Sequence, residues 1–406
     1  MKNWKKGLLS IALGTGVMLG CDKAKEVFNE MIPETDQEPT TAQVQGYVFY
    51  PALTDATDQN IAQLKAPAGF SIKKFSDGLG KPRMLAVHSS GAIYVTDREA
   101  GTVTLLRDGN NDGVADTKTI VANIKQVHGI TIHNGMLYLV TVREVYSAPI
   151  NMDGTLGQRT QLINNLPDGG QHPNRTIGFG PDGMMYITVG STCNSCPEPN
   201  PEHATILRAN PDGSNRKIFA KGLRNTIGFG WHPQTKDLFG IDHGIDWLGD
   251  NEQKEEVNKI VQGADYGWPY IYGEGKYNPS DRPQGDTTYQ QYLQKTTLPL
   301  LTYTAHSSPL GMAFYTGNQF PAEYQNDAFV TMRGSWNRSQ PSGYKLVRLH
   351  FENGKPTRFD DFVTGFLINN NRAQFGRPVG IAVHTDGSLL FTDDNNGVLY
   401  RVSYAK

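Results

Sequence analysis

One short sequence motif occurs six times along the chain, and it constrains the fold more than any other feature. Each copy is a strand of small and apolar residues, a polar turn such as Asp182 with Gly183, and a second alternating strand. The copies begin at residues 83–87, 128–132, 175–179, 224–229, 308–314 and 377–383. Repeats of about 40–50 residues made of short strands and tight turns are typical of propeller blades. The sequence therefore predicts an all-β protein that folds as a six-bladed β-propeller.

A basic residue stands at the start of five of the six copies. These residues are Arg83, His128, Arg175, Arg224 and Arg377, and the remaining copy has Ser308. Equivalent positions of a propeller face the same axis, so we expect the basic side chains to surround one mouth of the central channel. The whole chain has a net charge of −2 and 19% charged residues, which does not indicate binding to nucleic acid. The predicted ring is therefore a local site for a small anion.

The N-terminus has the pattern of a bacterial export signal. Three lysines within residues 2–6 precede an apolar run at 7–19 that is short for a membrane span, and residues 18–21 (Met-Leu-Gly-Cys) are similar to a lipobox. We expect residues 1–20 to be a lipoprotein-type signal peptide and Cys21 to be lipidated, which anchors a periplasmic protein to a bacterial membrane. An ordinary export signal and an uncleaved anchor are the alternatives.

The segment after the signal differs in composition from the rest of the chain. Residues 22–45 are rich in Pro, Thr, Gln, Asp and Glu and contain few large apolar groups, so they cannot bury enough surface to fold. We therefore assign residues 21–62 to the lipidated cysteine and a flexible tether, and residues 63–406 to the catalytic propeller.

Two further cysteines, Cys193 and Cys196, are three positions apart. Haem attachment would need a histidine where Pro197 stands, and no second cysteine pair or nearby histidine completes a zinc site. A disulfide-closed loop is the outcome that an oxidising compartment favours, with a redox pair as the alternative.

His172 lies in residues 168–175, directly before the first strand of the third copy. A histidine on this loop would point into the channel mouth, where it could act as a general base. A loop histidine that is hydrogen-bonded only for structure is the alternative. The expected neighbourhood of Arg175, Arg224 and Arg377 favours the functional interpretation, and the like charge of Arg175 and Arg224 would lower the pKa of His172.

Oxygen ligands are dense between residues 222 and 269, where carboxylates, glycines and aromatic residues alternate. Calcium takes six to eight oxygen ligands from carboxylates and backbone carbonyls, so this stretch can supply a calcium site; a solvated acidic loop is the alternative. Residues 108–116 also resemble a calcium loop, with oxygens at alternate positions followed by glycine. Thr119 at the twelfth position excludes a full EF-hand, and a plain hairpin tip remains the alternative.

The order of these motifs resembles the sugar dehydrogenases that depend on pyrroloquinoline quinone (PQQ), six-bladed quinoproteins that include soluble glucose dehydrogenase and the aldose dehydrogenases. The resemblance rests on His172, on Arg224 with Asn225, and on the runs Asp-His-Gly at 242, Glu-Glu-Val-Asn at 255 and Tyr-Gly-Trp-Pro at 266. Segments 246–250, 309–317, 334–338 and 376–380 are similar to the sorbosone dehydrogenase branch. The resemblance covers roughly residues 65–406.

This resemblance implies a role for particular residues. The catalytic base falls on His172. The residues implied to bind PQQ are Arg224, Asn225, Arg333 and Arg377, and the repeat places Arg175 on the same face. The carbonyls implied to hold the active-site Ca²⁺ belong to Gly244 and Ile245. A second, structural Ca²⁺ is implied at Glu255, Glu256 and the Tyr266 carbonyl.

The chain departs from the family's pattern at three positions. Ile227 stands where a glutamine is expected, Val379 replaces the second arginine of a pair, and Arg333 replaces a lysine. The arginine keeps the charge but presents a planar fork instead of a point charge. The local positive charge that suits a cofactor with three carboxylates is retained.

The resemblance implies a quinoprotein oxidoreductase that oxidises an aldose or a sorbosone-type sugar aldehyde with PQQ and Ca²⁺. We expect the electrons to pass to a quinone or cytochrome acceptor, because the sequence contains no haem or flavin motif. The alternatives are a Ca²⁺-dependent lactonase on a similar propeller and a non-catalytic exported propeller that binds a partner or a glycan.

Overall fold

The computed structural model describes residues 44–405, which form six four-stranded antiparallel sheets. The predicted all-β, six-bladed propeller is confirmed. The signal peptide of residues 1–20, Cys21 and the tether up to residue 43 lie outside the described residues, and those assignments stay predictions. No helix among residues 44–405 has the length and hydropathy to cross a membrane.

Each sheet is one blade, and the strands of a blade follow one another from the channel outwards. Blade 1 contains Pro82–Val87, Ile93–Asp97, Thr102–Arg107 and Thr117–Asn123. Blade 2 contains Gly129–His133, Met136–Val140, Val145–Pro149 and Thr160–Ile163. Blade 3 contains Ile177–Phe179, Met185–Val189, Thr205–Ala209 and Lys217–Lys221. Blade 4 contains Thr226–Trp231, Leu238–Asp242, Glu255–Ile260 and Leu301–Tyr303. Blade 5 contains Pro309–Phe314, Ala328–Met332, Lys345–Glu352 and Lys355–Val363. Blade 6 contains Pro378–Val383, Leu389–Asp393, Val398–Tyr404 and Phe70–Ser76.

Blade 6 joins the two ends of the propeller. Its outer strand, Phe70–Ser76, comes from the start of the propeller and pairs with Val398–Tyr404 from the end, with Phe70 opposite Tyr404. The inner strand of blade 6 contacts the inner strands of blades 5 and 1, so the ring of blades is closed. This shared blade avoids an open sheet edge between the first and last strands.

The small residues of the repeated motif allow adjacent blades to approach closely. A Cβ atom on Gly380 of blade 6 would clash with the carbonyl oxygen of Arg83 in blade 1. The hydroxyl of Thr392 donates a 2.6 Å hydrogen bond to the same carbonyl, and the hydroxyl of Thr96 donates one of 2.7 Å to the carbonyl of His128 in blade 2. The motif therefore recurs because each inner strand packs against the backbone of the next blade.

Shorter elements lie on the propeller. They are the strands Ala52–Leu53, Leu367–Ile368 and Ala373–Gln374 in one sheet, Ile271–Tyr272 with Lys276–Tyr277 in another, the α-helices Asp58–Ala62 and Tyr289–Leu293, and the 3-10 helix Ala322–Tyr324. The helix Asp58–Ala62 begins where the hydroxyl of Thr57 accepts a hydrogen bond from the Asn60 N–H.

The N-terminal part of this set corrects one domain boundary. Residues 44–62, assigned to the flexible tether, lie against the propeller. Gln45 pairs with Leu248, and Ala52–Leu53 pairs in parallel with Ala373–Gln374. The composition of residues 22–45 does not extend to this segment, whose main-chain groups find partners in the propeller loops.

Candidate active site

A cavity of about 490 Å³ lies at the end of the channel where the inner strands begin, since Arg83, Arg224 and Ser308 line it. Its charged and imidazole side chains are Lys81, Arg83, Arg98, Arg224, Arg333, Glu99, Asp246, Glu255, Asp394, His172, His243 and His306. A second cavity of about 530 Å³, lined mostly by apolar residues and glycines, lies where the inner strands end. The concentration of charge at one end makes the first cavity the candidate active site.

The basic ring predicted from the repeat is only partly correct. Arg83 and Arg224 line the cavity, whereas His128, Arg175 and Arg377 do not. The guanidinium of Arg175 is fully buried and donates to the carbonyls of Pro167, Asp168 and His172. These bonds direct its charge into the backbone of the loop that carries His172, so the repeat predicted the position of Arg175 but not the direction of its side chain.

Arg377 also acts on backbone carbonyls. Its Nε donates to the Arg333 carbonyl at 3.1 Å and its Nη2 to the Gly334 carbonyl at 2.6 Å. Burial, together with the nearby Arg333 charge, lowers the pKa of Arg377 to about 10. Arg377 therefore holds the chain segment that presents Arg333 to the cavity, and a direct bond to a cofactor stays a prediction.

Arg224 and Asn225 are fixed by buried Asp242, which accepts both of their backbone N–H groups at 2.8 and 2.9 Å. The Arg224 side chain donates through Nη2 to Asp246 at 3.0 Å. The side-chain oxygen of Asn225 is buried and has no hydrogen-bond partner among the described residues. Burial raises the pKa of Asp242 to about 6, although its hydrogen bonds oppose the shift.

A second pair of arginines is held by Asp394, which accepts from Arg83 and from Arg333. Burial would raise the pKa of Asp394, but the charges of Arg333 and Arg83 outweigh it and lower that pKa. The strand-start position pointed to Arg83, whereas nothing in the repeat pointed to Asp394.

Arg98 is a cavity cation that the sequence did not indicate, since it follows a second strand and not a first. Burial lowers its pKa. Its Nε and that of Arg83 are buried without a hydrogen-bond partner among residues 44–405. Guanidinium nitrogens without a partner fit a ligand that carries several carboxylates.

His172 is held in one tautomer. Its Nδ1 lies 3.1 Å from the Ser191 carbonyl oxygen and 2.8 Å from the Ser191 hydroxyl oxygen. The carbonyl can only accept, and the hydroxyl donates its own proton to the Cys193 carbonyl at 2.7 Å, so Nδ1 must carry the proton. Nε2 therefore has a free lone pair, which is the atom a general base needs.

The ring of His172 is neutral. Burial lowers its pKa to about 2, and the charge of Arg224 adds to this effect more than that of Arg175. A bound polyanion would offset those positive charges and raise the pKa. The prediction of a lowered pKa is thus confirmed, but desolvation and not like charge is the larger cause.

Two other histidines line the cavity, and the sequence assigned a role to neither of them. His243 follows Asp242 and donates through Nε2 to the Pro309 carbonyl. Burial lowers its pKa to about 4. His306 donates through Nε2 to the Gly249 carbonyl at 2.8 Å, and burial lowers its pKa. His128, the candidate of the second copy, is buried away from the cavity with Nδ1 at 2.9 Å from the Arg175 carbonyl.

The implied active-site calcium ligands lie at the cavity wall. Gly244 lines the cavity, and Ile245 follows it. Their N–H groups are held by Glu255 and Gln253 at 3.0 Å each, while within residues 44–405 neither carbonyl oxygen accepts a hydrogen bond. Buried, unpaired carbonyls beside a carboxylate are an oxygen set that fits Ca²⁺. Burial raises the pKa of Glu255 to about 8.

The structure separates the two carboxylates that the resemblance implies for the structural calcium. Glu255 accepts from Gly244 and Ser308, whereas Glu256 accepts from Gln253 and Gly273, because consecutive residues of a strand point to opposite faces. Calcium binding at this set with the Tyr266 carbonyl stays a prediction. Residues 108–116 form a turn in which Asp108 and Asp112 accept from backbone N–H groups of the turn itself.

Ile227 and Val379, two of the three departures from the family's pattern, lie in the same buried cluster as Leu310 and Met84. Leu310 borders both cavities. The two apolar side chains therefore belong to an apolar layer that separates the candidate active site from the rest of the channel.

A disulfide joins Cys193 and Cys196 beside the cavity. It closes the turn that follows Ser191, which contacts His172, and that contains Asn194, which contacts Arg224.

The propeller and its relatives place the chain in the PQQ-dependent sugar dehydrogenase class. The chain belongs to the TrAA12-like family, whose model matches residues 64–405.

Individual relatives match most of the chain. An uncharacterized protein of Borreliella burgdorferi is 30% identical over 371 residues, which cover 87% of this chain and 94% of that protein. A PQQ-dependent sugar dehydrogenase of Hypocrea jecorina is 24% identical, covering 90% of this chain and 92% of the relative. A PQQ-dependent pyranose dehydrogenase of Coprinopsis cinerea is also 24% identical, and the match covers 83% of this chain but 54% of that protein.

Solved structures share the fold. The calcium structure of the Trichoderma reesei family AA12 enzyme superposes with a TM-score of 0.74 at 22% identity, covering 88% of this chain and 98% of that one. The holo form of the PQQ domain of the Coprinopsis cinerea pyranose dehydrogenase superposes with a TM-score of 0.73 at 21% identity, covering 88% and 100%. At this identity the likeness supports the propeller architecture.

Proposed function

We propose that this protein is a PQQ-dependent dehydrogenase that oxidises the hydroxyl-bearing carbon of an aldose, or the hydrate of a sorbosone-type sugar aldehyde. The observation that carries the proposal is the free Nε2 lone pair of a neutral His172 in a cavity lined by Arg83, Arg98, Arg224 and Arg333.

The residues divide into a base and a set of anion-binding groups. His172 accepts the proton of the sugar hydroxyl at Nε2, and the resulting imidazolium is stabilised at Nδ1 by the Ser191 carbonyl. Arg224, Arg333 and Asn225 would hold the carboxylates of PQQ, with Arg83 and Arg98 as further cations of the cavity. PQQ held there would supply the acceptor for the hydride that leaves the sugar carbon. The carbonyls of Gly244 and Ile245 would hold Ca²⁺, a Lewis acid for the quinone oxygen.

The lactonase alternative has less support from the cavity. A calcium-dependent hydrolase needs free carboxylates on the axis, whereas Asp394 is paired with Arg83 and Arg333, and Asp246 is paired with Arg224. The cavity therefore favours an anionic cofactor over a metal held by carboxylates alone.

Reconstitution tests the function directly. Purified protein is titrated with PQQ in the presence of Ca²⁺ while absorbance is recorded, and sugars are then added together with an artificial electron-accepting dye. We expect saturable binding, and dye reduction with an aldose or a sugar aldehyde. Failure to bind PQQ, or binding without any sugar oxidation, would overturn the proposal.

We also propose that residues 1–20 direct export, that lipidated Cys21 anchors the protein to a bacterial membrane, and that a quinone or cytochrome takes up the electrons. The support is the sequence pattern of residues 1–21. Metabolic labelling with a fatty acid should mark the parent protein and not a Cys21→Ser variant. Equal labelling of both would remove Cys21 as the lipid site.

A further inference from the structure

The turn from Ser191 to Cys196 contacts two residues of the proposed chemistry at once. It follows the second strand of blade 3, Met185–Val189, and is closed by the Cys193–Cys196 disulfide. Ser191 precedes the disulfide-closed loop and contacts His172, whereas Asn194 lies within that loop and contacts Arg224.

Asn194 binds the guanidinium of Arg224 at two points. Its backbone carbonyl accepts from Nε at 2.9 Å, and its side-chain oxygen accepts from Nη2 at 2.7 Å. The same side-chain oxygen accepts from the Asp246 N–H at 2.8 Å, and the Asn194 amide donates back to the Asp246 carbonyl at 3.3 Å. Asp246 is also the carboxylate that pairs with Arg224. One side chain therefore sets the orientation of both members of this ion pair.

Ser191 controls the imidazole through a directed chain of hydrogen bonds. The His172 Nδ1 proton goes to Ser191, and the Ser191 hydroxyl proton goes to the Cys193 carbonyl at 2.7 Å. The acceptor at the end of this chain belongs to a disulfide-bonded residue. Moving the Cys193 carbonyl would free the Ser191 hydroxyl to donate to Nδ1, which would shift the ring proton to Nε2.

The turn is tied to its surroundings on several sides. The carboxylate of Glu198 accepts from the Thr192 N–H and hydroxyl at 2.7 Å each, and the Trp268 indole donates to the Asn194 carbonyl at 3.3 Å. A ring closed over two intervening residues removes little entropy from the unfolded chain, because the entropic effect of a disulfide grows with loop length. Its main effect is therefore local, on the dihedral angles of the turn.

We propose that the turn closed by the Cys193–Cys196 disulfide is a positioning element, in which Asn194 orients the guanidinium of Arg224 and Ser191 sets the tautomer of His172. The contacts stand on their own, while their consequence for cofactor binding rests on the function proposed above. Reducing the disulfide then weakens PQQ binding and shifts the His172 proton from Nδ1 toward Nε2.

The first test needs no cofactor. Nitrogen-15 chemical shifts of the His172 imidazole report which ring nitrogen carries the proton. We expect Nδ1–H in the oxidised protein, and a mixture of tautomers after treatment with dithiothreitol and in a Cys193→Ser/Cys196→Ser variant. Both cysteines are half-buried. An unchanged tautomer after reduction would overturn the role of the turn, whether or not the protein binds PQQ.

The second test measures PQQ affinity by absorbance titration in oxidised protein. Asn194→Ala should raise the Kd about tenfold or more, the scale of a lost charge-assisted hydrogen bond, and Asn194→Asp should stay within about threefold of the parent because it keeps the acceptor oxygen. Asn210→Ala is the matched control, since Asn210 lies in another turn of blade 3 and its side chain donates to Ser214.

The outcomes separate the two proposals. Equal Kd values for the Asn194→Ala and Asn210→Ala variants would refute the positioning of Arg224. If Asn194→Ala does not fold, PQQ titration of the reduced parent protein against the oxidised protein supplies the comparison. If the parent protein binds no PQQ, the proposed function fails, and the tautomer measurement still decides the role of the turn.

Discussion

Arg333 donates its Nε to both carboxylate oxygens of Asp394, at 3.2 and 3.0 Å. Arg333 belongs to blade 5 and Asp394 to blade 6, and Asp394 also accepts from Arg83 of blade 1. One buried carboxylate thus connects three consecutive blades at the cavity wall. It also allows two guanidiniums to face the same small space without strong mutual repulsion.

This arrangement predicts a large effect of Asp394→Asn. Removing one partner of a buried ion pair costs about 3–5 kcal/mol, because the remaining charges stay buried. Urea denaturation should show that loss in the free energy of unfolding. Asp360→Asn, at a half-exposed carboxylate of blade 5, is the control and should stay within about 0.5 kcal/mol. Similar stability of the two variants would contradict the bridging role.

Asp393, the neighbour of Asp394, should make the free energy of unfolding decrease as the pH rises. Burial raises its pKa to about 7, and its Oδ2 has no hydrogen-bond partner among the described residues. The folded pKa lies above the unfolded value of about 3.9. The contribution of this group to the free energy of unfolding is therefore most favourable below pH 4 and becomes less favourable as the pH rises toward 7. The loss is a few kcal/mol by the linkage relation. Comparing the free energy of unfolding of parent and Asp393→Asn between pH 4 and 8 isolates this contribution; parallel curves would exclude it.

Arg224 and Arg377 should differ when each is changed to alanine. Arg224→Ala removes a cavity charge and should weaken PQQ binding by about 1.5–3 kcal/mol. Arg377→Ala removes two bonds to the carbonyls of Arg333 and Gly334, so it should lower the thermal midpoint and weaken PQQ binding less. Titration and thermal unfolding of both variants measure this. Equal affinity losses would place Arg377 directly against the cofactor.

His172→Gln should lower turnover about 10²–10⁴-fold, which is the usual contribution of a positioned base. PQQ binding should persist, because the cations of the cavity remain. His243→Gln tests the other histidine near Asn225; its Nε2 is already bonded to Pro309, so we expect a smaller effect on turnover. Near-parental turnover of His172→Gln would transfer the role of base to His243 or His306.

Ile227→Gln restores the residue that the family's pattern would place there, but it should not restore a family contact. Ile227 is 1% exposed and packs with Val379 and Leu310. A buried amide without a partner costs about 1–3 kcal/mol in addition to the lost packing, so the thermal midpoint should fall and PQQ affinity should not improve. Ile227→Val is the control, at about 0.5–1.5 kcal/mol. A tighter PQQ complex in Ile227→Gln would show that this position faces the cofactor.

The repeated motif accounts for most of what could be predicted about the fold. Its small residues and turns report a local requirement, the close contact of Gly380 with the neighbouring blade, and that requirement recurs wherever an inner strand packs. The same repeat wrongly predicted that the side chains of Arg175 and Arg377 line the cavity. The repeat specifies where a backbone position lies and not which carbonyl a long side chain will reach.

The sequence by itself determined the six blades and the positions of His172 and Arg224 near one channel mouth, and the family resemblance placed Arg333 with them. Tertiary structure alone decided the tautomer of His172, the pairing of Asp394 with two arginines, and the use of Arg98 in place of Arg175 at the cavity. The physical reason is range. Strand periodicity and turn chemistry act between residues close in the chain, whereas a buried charge takes its partner from whichever blade the closed ring brings within about 3 Å.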